Sequence, residues 1–305
     1  PVWTNREATT LREIPDRVVM VGGSAVGTEL GQFLHRFGAR MTIVERSATL
    51  LFREEPRVGE ILGQRLRAEG IDVRTGATAT EVRRDGADTV ITLDDGAVLR
   101  CDVVVVGAGR TPRTADLGLD TIGVTLGDKG QIRVDEHCRA ADGLWAIGDV
   151  TAIMPFTHVA KYQARVVADT ILGRPRAASY RGIPRVVFTD PEVAAVGLTR
   201  AQADRQGLRT SAVELDLTAA LARPWIYEQD PRGHLGLLVD TDQGILLGAW
   251  AVAPMAGEWI HQAALAIRTR TAIEVLLDQV AQFPTYSEGF LAALEELALN
   301  PTQHG

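Results

Sequence analysis

The chain has 305 residues, 46% of them hydrophobic, and a formal net charge of −7. This length and apolar content suit two or three globular domains and exclude a disordered chain. The net negative charge argues against a nucleic-acid or anionic-membrane partner, because binding a phosphate backbone needs a concentrated basic face.

No apolar run approaches the roughly 20 residues that a membrane-spanning helix needs, and no charged-then-apolar leader opens the chain. We therefore expect a cytoplasmic protein with no membrane partner. The two cysteines, Cys101 and Cys138, are too far apart for a CxxC or zinc motif. Cys101 lies in an apolar run typical of a buried strand. The six histidines lack ligand spacing, and we predict no metal site.

The chain opens with PVWTNREATTLREIPD, which has no methionine and leaves no evident room for a strand and a helix before the glycine-rich stretch that follows. We expect that it belongs to a longer protein. From Arg17 onward, apolar runs alternate with amphipathic stretches. The predicted strands are RVVMVG, RMTIVE and IDVRTG, and the predicted helices are AVGTELGQFLHRFG and VGEILGQRLRAEG. This alternation predicts the parallel sheet of a Rossmann-like domain within an α/β fold.

The next stretch alternates apolar runs with turn signals. Asp85-Gly86 and Asp95-Gly96 predict tight hairpin turns in a β-meander, which returns to a final parallel strand, VVVVGAG. Further on, GLWAIGDV predicts a buried strand and HVAKYQARVVADTIL a helix. A hairpin in GHLGLLVDTDQGILLGAWAVA and helices near the C-terminus then indicate an α+β unit. We predict domains at 1–115, 116–183 and 184–305.

The stretch VVMVGGSAVGTELG predicts a dinucleotide-binding turn. Gly22 allows the tight turn, and Gly27 lets the following helix pack closely against the strand. Ser24 stands where a middle glycine would let the pyrophosphate approach, but a serine is small and the helix N-terminus still offers free N–H groups. Glu45 ends the second strand about 20 residues later. In dinucleotide-binding folds, a carboxylate near this position accepts hydrogen bonds from the ribose hydroxyls.

The choice between NAD and NADP stays open. The acidic Glu45 favours NAD, whereas Arg46 and Arg53 could contact a 2′-phosphate. Asp149, in AIGDV, taken alone indicates only a turn that it caps.

Several stretches together resemble the pyridine nucleotide–disulfide oxidoreductase family. They are VGGSAVGTELG, TIVERSATLL, VVVVGAGRTPRT, GQIRVDEHCRAADGLWAIGDV, PRVVFTDPEVAAVG and FPTYSEGF. They occur in family order and cover nearly the whole chain. Within the family, FREEPRVGE, AVAPMAGEWIHQAALAIRTR and the serine of the glycine loop are most similar to mercuric reductase.

The resemblance implies a domain order of FAD half, NAD(P) domain, remaining FAD segment and dimerisation domain, of which this chain begins at the second. The FAD adenine-binding loop and the family's redox cysteines would then lie outside it. We expect an FAD-dependent oxidoreductase that passes hydride from NADH or NADPH to flavin, and a homodimer formed through the C-terminal domain.

The resemblance also implies site residues. Positions lining the nicotinamide dinucleotide match Gly22, Ser24, Gly27, Glu45, Val82 and Gly109. Asp149 matches an aspartate that binds the ribityl–phosphate region of the flavin, and Thr157 to Ala160 match a helix start facing the flavin ring. The full set of cofactor-binding candidates is Gly22, Gly23, Ser24, Ala25, Val26, Gly27, Glu45, Arg46, Val82, Gly109, Arg110, Gly148, Asp149, Thr157, His158 and Ala160.

Glu29 matches a carboxylate that pairs with a lysine beside the flavin in relatives. From the residue alone, a solvated acid favoured by the helix dipole is the simpler interpretation. Ala25 occupies the position where some relatives place a gating tyrosine, so that lid is absent.

The last motif, FPTYSE, departs from the family's His-Pro-Thr-x-Ser-Glu, in which glutamate orients a catalytic histidine. Phe283 replaces the histidine and cannot transfer a proton, while Glu288 is retained and could simply cap the next helix. Mercuric reductases carry a tyrosine there and a cysteine pair near the C-terminus, and this chain ends LALNPTQHG with neither.

Glu29, Phe283 and Glu288 are therefore the catalytic candidates, and the electron acceptor stays open. A thiol or disulfide substrate would need the histidine, whereas a metal ion or quinone would not. The alternatives are mercuric reductase, dihydrolipoamide dehydrogenase and, in another class, a fragment that binds NAD and dimerises without turnover.

Overall fold

The computed structural model describes residues 1–299, apart from the side chain of Tyr227. In that range the strands are β1 (Val2–Trp3), β2 (Arg17–Val21), β3 (Arg40–Glu45), β4 (Asp72–Thr75), β5 (Ala79–Asp85), β6 (Asp88–Leu93), β7 (Val98–Cys101), β8 (Val103–Val106), β9 (Arg139–Ala141), β10 (Leu144–Trp145), β11 (Pro184–Val187), β12 (Glu192–Gly197), β13 (Thr210–Asp216), β14 (His234–Asp240) and β15 (Ile245–Ala253).

The α-helices in the same range are α1 (Asn5–Ala8), α2 (Ala25–Arg36), α3 (Pro56–Ala68), α4 (Thr157–Ile171), α5 (Arg200–Arg205), α6 (Leu217–Ala220), α7 (Arg223–Tyr227), α8 (Ala256–Trp259), α9 (His261–Thr269), α10 (Ile273–Leu277) and α11 (Glu288–Leu299). Two 3₁₀ turns cover Leu119–Ile122 and Gly148–Thr151. None of the helices described is long and apolar enough to cross a membrane.

The N-terminal region contains a five-stranded parallel sheet in the order β1-β8-β2-β3-β4. Its strands are apolar: Val18, Val19 and Met20 of β2 are all buried. Helices α2 and α3 connect successive strands, as parallel pairing requires. The predicted Rossmann-like α/β arrangement is confirmed.

The expectation of no strand and helix before the glycine-rich stretch is wrong. Strand β1 is only two residues long and pairs with β8 through Val2 and Val104. Helix α1 is a single turn whose N-terminal end is fixed by a capping box between Thr4 and Glu7. Elements this short leave no periodic signal in a sequence.

Strands β5, β6 and β7 form a separate antiparallel sheet between β4 and β8 in the chain. Gly86 and Gly96, in the two turns, have φ of 62° and 84°. Residues other than glycine adopt such positive φ angles only at a cost in free energy. The predicted meander is confirmed. Cys101, at the end of β7, is buried as expected.

The chain divides into two compact units, Pro1–Ala108 with Pro184–Gly305 and Gly109–Ile183. The predicted boundaries at 115 and 183 stay a prediction. In the Gly109–Ile183 unit, β9 and β10 form a small antiparallel pair and α4 follows the Gly148–Thr151 turn. Only Leu144–Trp145 of GLWAIGDV is strand, and it is half-buried, because the chain turns into the 3₁₀ segment at Gly148.

From Pro184 the chain builds an antiparallel sheet in the order β11-β12-β15-β14-β13. The predicted hairpin is β14 with β15, paired from His234 to Asp240. Helices α9 and α11 cover this sheet, and their buried faces include Ala263, Ile267 and Phe290. This is the α+β domain expected at the C-terminus.

The segment that leads into α3 joins this C-terminal domain through charged side chains. Glu54 receives two hydrogen bonds from Arg185, of 2.8 and 2.7 Å, and the exposed fractions of these side chains are 12% and 19%. Glu55 accepts from the backbone N–H of Arg200, and Arg57 pairs with Glu214. Three contacts made within four residues of the chain therefore hold the start of α3 against the C-terminal domain.

Replacing Arg185 with Ala is expected to lower the free energy of unfolding by about 2 kcal/mol. Loss of the partner of a buried charge costs about 3–5 kcal/mol, and the remaining exposure of Glu54 reduces that figure. Urea unfolding monitored by circular dichroism would measure it. Arg57→Ala, in a more exposed pair, is the matched control and should cost about 0–1 kcal/mol. Equal losses in both variants would contradict the argument from burial.

Candidate functional site

The turn after β2 requires glycine for steric reasons. Gly22 has φ of 111°, and a Cβ there would lie 2.9 Å from the carbonyl carbon of Gly107. A Cβ on Gly27, in the first turn of α2, would lie 1.8 Å from the carbonyl oxygen of Gly22. A Cβ on Gly23 would lie 2.5 Å from the Leu50 side chain. These residues form a cradle that only bare backbone fits.

Ser24 occupies the sequence position of the middle glycine, but its side chain is turned toward the backbone after β8. Its hydroxyl donates to the carbonyl oxygen of Gly107 at 3.0 Å, so the side chain is held against the chain after β8. It is the N-cap of α2 but makes no capping hydrogen bond. Within the described range no backbone carbonyl accepts from the N–H groups of Ala25, Val26 and Gly27. Free N–H groups at the start of a 12-residue helix fit a dinucleotide pyrophosphate.

Glu45 was predicted to bind a ribose, and in the structure it also has a role in holding the backbone. It is buried, Oε2 accepts from the N–H of Gly23 at 2.6 Å, and Oε1 accepts from the N–H of Ser47 at 2.7 Å. The carboxylate therefore fixes the glycine turn and the start of the next loop. Its contact with a ribose stays a prediction. The signal available in the sequence, an acid ending the strand beside a glycine turn, suits both roles.

Two arginines follow the end of β3 and are exposed. Arg46 comes directly after Glu45, and the guanidinium of Arg53 lies 5.5 Å from the centre of the Phe52 ring. Both are free to approach a nucleotide, and the structure does not favour NAD over NADP. Val82 lies on β5 with an exposed side chain, apart from the glycine turn in the sequence and in another sheet.

The polar face of α2 is attached to the segment after β11. Oε1 of Glu29 accepts from the N–H of Phe188 at 2.9 Å. The amide of Gln32 donates to the carbonyl oxygen of Asp190 and accepts from its N–H, both at 2.8 Å. Arg36 pairs with the Asp190 carboxylate at 2.9 Å. Glu29 is thus a half-buried acid with a backbone partner, which differs from the solvated acid that the residue alone indicates.

Burial raises the pKa of the Glu29 carboxyl, while the Phe188 N–H lowers it less. The stability that Glu29 contributes is therefore complete below its unfolded pKa of about 4.3 and is lost as the pH rises through its folded pKa. Replacing Glu29 with Gln removes this titration. We expect the variant to lose less stability than the wild type between pH 4 and pH 7.

Urea unfolding at several pH values would test this expectation. The exposed Glu13→Gln is the control for loss of a surface carboxylate, and it should change the free energy of unfolding by less than about 0.5 kcal/mol. A Glu29→Gln profile parallel to that of the wild type would contradict the burial argument.

The flavin candidates lie together in the Gly109–Ile183 unit. Gly148 has φ of 76°, and a Cβ there would come within 3.3 Å of the Ala160 side chain on α4. Asp149 is exposed, and its Oδ2 accepts from Arg110 at 3.3 Å, while Arg110 also donates to the Pro155 carbonyl at 2.9 Å. An exposed carboxylate, a guanidinium and a helix start form a donor and acceptor set that suits a ribityl–phosphate group.

The remaining candidates in this unit surround the same turn. Helix α4 begins at the exposed Thr157 without a side-chain cap. The rings of Phe156 and His158 stack with centroids 5.2 Å apart. Gly109 is exposed with φ of 156°, next to Arg110.

The FPTYSE loop presents Phe283 to solvent, with 74% of the residue exposed. Glu288 begins α11, and its Oε2 accepts from the N–H of Thr285 at 2.8 Å. Tyr286 is buried against Trp259, with ring centroids 6.1 Å apart, and burial raises the pKa of its hydroxyl to about 12. A phenol with that pKa keeps its proton at neutral pH, so it cannot replace the histidine as a proton shuttle.

The end of the chain, where mercuric reductases have a cysteine pair, is residues 300–305 and lies outside the described residues. Across residues 1–299, no group of three or more His, Cys, Asp or Glu side chains could hold a metal ion.

Two family models match the chain. The pyridine nucleotide-disulphide oxidoreductase model matches residues 1–164, and the dimerisation domain model of the same family matches residues 183–294. The chain is 40% identical to a mercuric reductase from Shigella flexneri over 97% of its own length and 52% of the relative's length. It is 34% identical to a dihydrolipoyl dehydrogenase from Geobacillus stearothermophilus over 94% of its own length and 62% of the relative's length. The chain thus spans about half the length of the curated mercuric reductases it matches.

Solved structures give the same picture. LpdA from Mycobacterium tuberculosis superimposes with a TM-score of 0.87 at 28% identity, covering 97% of this chain and 64% of that one. The HOCl-induced flavoprotein disulfide reductase RclA from Escherichia coli, solved as a Cu(II) complex, superimposes with a TM-score of 0.88 at 27% identity. The match covers 97% of this chain and 67% of that one.

Proposed function

The chain belongs to the pyridine nucleotide-disulphide oxidoreductase family, and from this we propose that, in a full-length protein, it is part of an FAD-dependent NAD(P)H oxidoreductase. Members of this family use FAD and NAD(P)H. The observation that carries the proposal is the glycine cradle with three free N–H groups at the start of α2. When bound, FAD supplies the acceptor for a hydride from the nicotinamide.

The chain's own residues would bind and orient the cofactors. The N–H groups of Ala25, Val26 and Gly27 would hold the dinucleotide pyrophosphate, and Glu45 would keep the turn in shape. Asp149 and Arg110 would bind the ribityl–phosphate region of the flavin. Glu29, which holds the Phe188 backbone, would take the place of the carboxylate that in relatives pairs with a lysine beside the flavin.

Nucleotide titration of the 305-residue chain tests this proposal. We expect saturable binding of NADH or NADPH, followed by nicotinamide fluorescence, because the glycine turn and the free N–H groups of α2 all lie in this chain. FAD should bind weakly, since the chain matches about half of its curated mercuric reductase relatives and the resemblance places the FAD adenine site in the other half. No saturable binding of either nucleotide would refute the proposal.

A different result, obtained with the full-length protein, would favour the alternative function. Saturable nucleotide binding by a full-length protein that holds no flavin and reduces no acceptor would identify a binding and dimerising protein without turnover. Flavin absorbance of the purified full-length protein distinguishes the two.

We propose a metal ion or a quinone as the electron acceptor. Phe283 and the high pKa of Tyr286 leave no proton shuttle in the FPTYSE loop, which disfavours dithiol chemistry. Relatives named mercuric reductase and a relative solved with Cu(II) support a metal-ion acceptor. Dihydrolipoamide stays the second candidate because other relatives are dihydrolipoyl dehydrogenases.

We also propose a homodimer through the region matched by the dimerisation domain model. Leu265, Val275 and Val280 of this region have exposed fractions of 65%, 62% and 94%. Large apolar side chains at the surface are typical of an interface, and two-fold homodimers are the commonest soluble oligomers.

A further inference from the structure

A series of buried and partly buried hydrogen bonds runs through the Gly109–Ile183 unit and ends at Gly148, directly before Asp149 in the same 3₁₀ turn. The backbone N–H of Gly148 donates to Oε1 of Gln163 at 2.6 Å. The Nε2 group of Gln163 donates to the hydroxyl of Tyr180 at 2.9 Å, and this hydroxyl also interacts with the thiol of Cys138. Gln163, on α4, is completely buried.

The order of donors in this line fixes the Gln163 amide in one orientation. Oε1 must face the Gly148 N–H, and Nε2 must face a hydroxyl that can accept. Rotating the amide by 180° would place two N–H donors against each other in a buried site. The Gly148 N–H therefore determines which end of the amide faces it, the Tyr180 hydroxyl holds the other end in place, and the amide holds the peptide of Gly148.

Gly148 is constrained on both sides, whereas the side chain of Asp149 is exposed. The carbonyl oxygen of Gly148 accepts from the hydroxyl of Thr151 at 2.8 Å, while its N–H is held by Gln163. The Asp149 carboxylate is contacted by Arg110 at 3.3 Å, which is a long and exposed ion pair. The direction of this carboxylate is thus set mainly by the backbone of the 3₁₀ turn that contains Asp149.

We propose that Gln163 is a positioning residue for flavin binding. It acts through the Gly148 peptide, which aims the carboxylate of Asp149 at the ribityl–phosphate region of FAD. This inference rests on the proposed function, because it needs a flavin at Asp149. Gln163 itself contacts no cofactor in this arrangement, since it is buried behind the turn.

The test uses Gln163→Leu in the full-length protein, with FAD affinity and the visible circular dichroism of bound flavin as readouts. Leucine has similar bulk but leaves the Gly148 N–H without an acceptor. We expect the FAD dissociation constant to rise about tenfold or more, as loss of a buried hydrogen bond implies. We also expect a changed flavin circular dichroism spectrum, which a purely structural role would not produce in protein that retains its fold.

Gln163→Glu is the conservative control. Its carboxyl still accepts from Gly148, and the Tyr180 hydroxyl can turn to donate to it. We expect an FAD dissociation constant within about threefold of the wild type and an unchanged flavin spectrum, because the main acceptor is kept.

If Gln163→Leu does not fold, Tyr180→Phe carries the same test, since it removes the hydroxyl that holds Nε2 of the amide and keeps the ring. A raised FAD dissociation constant with an altered flavin spectrum supports the inference. If whichever of these two variants folds has the wild-type FAD affinity and flavin spectrum, the role of Gln163 is overturned and the proposed function is not. Wild-type protein that binds no FAD overturns the proposed function and this inference together.

Discussion

Replacing Phe283 with His in the full-length protein is expected to raise the turnover of dihydrolipoamide or disulfide substrates by about 10²–10⁴-fold. A histidine exchanges protons near neutral pH, and phenylalanine offers only an apolar surface. Glu288 is retained two residues after the buried Tyr286, and its Oε2 already holds the Thr285 N–H within the same loop. The expectation applies to a full-length protein that carries the family's redox cysteines. Steady-state rates with lipoamide and a quinone measure it.

Phe283→Tyr is the matched control for this substitution. Its ring has the same size, but a phenol with a pKa of about 10 does not exchange a proton near pH 7. We expect quinone or metal-ion reduction to change little in either variant, since the exposed side chain contributes little to the fold. Efficient wild-type lipoamide turnover that Phe283→His leaves unchanged would show that another residue supplies the proton.

Replacing Gly27 with Ala is expected to abolish nucleotide binding and to lower the free energy of unfolding by about 3 kcal/mol, the upper end of the usual range for overpacking. The new Cβ would lie 1.8 Å from the carbonyl oxygen of Gly22, which is backbone and cannot move aside as a flexible side chain can. The turn would have to open, and the free N–H groups of α2 would lose their arrangement. Nicotinamide fluorescence and urea unfolding measure the two effects.

Gly63→Ala in α3 is the control for the change in helix propensity. A Cβ there would lie 3.2 Å from the end of the Arg67 side chain and 3.8 Å from Leu50, an ordinary van der Waals contact, so alanine should be neutral or stabilise the helix by up to about 1 kcal/mol. Nucleotide binding should be unaffected. Gly27→Ala protein with wild-type affinity would mean that the turn adapts, and that the close contact does not control the site.

The parallel sheet, the meander and the C-terminal hairpin could be predicted because their signals are local. Apolar runs such as RVVMVG and the turn residues Gly86 and Gly96 specify strands and hairpins within a few residues. The glycine turn was predictable for the same reason. The two-residue strand β1 was not, because its pairing with β8 joins residues about a hundred positions apart.

The site was predictable as a set of residue types and only partly as a set of contacts. Glu45 was identified as an acid at the end of a strand, but its two backbone hydrogen bonds depend on how the glycine turn folds back. The Ser24 hydroxyl turns toward Gly107, which lies 83 residues away in the chain. Gln163 had no sequence signal at all, because its partners Gly148 and Tyr180 meet it only after α4 packs on the turn.

The attachment of α2 to the segment at 188–190 limits how this chain could exchange parts with its relatives. The two family models meet between residues 164 and 183, where a recombination event would look harmless. Yet Gln32 and Arg36 of the nucleotide-binding helix recognise Asp190 beyond that junction. A chimera joined there would inherit a helix from one parent and its anchor from the other, so these positions must be inherited together. Lineages that shuffle the C-terminal domain should carry compensating changes along this face of the helix.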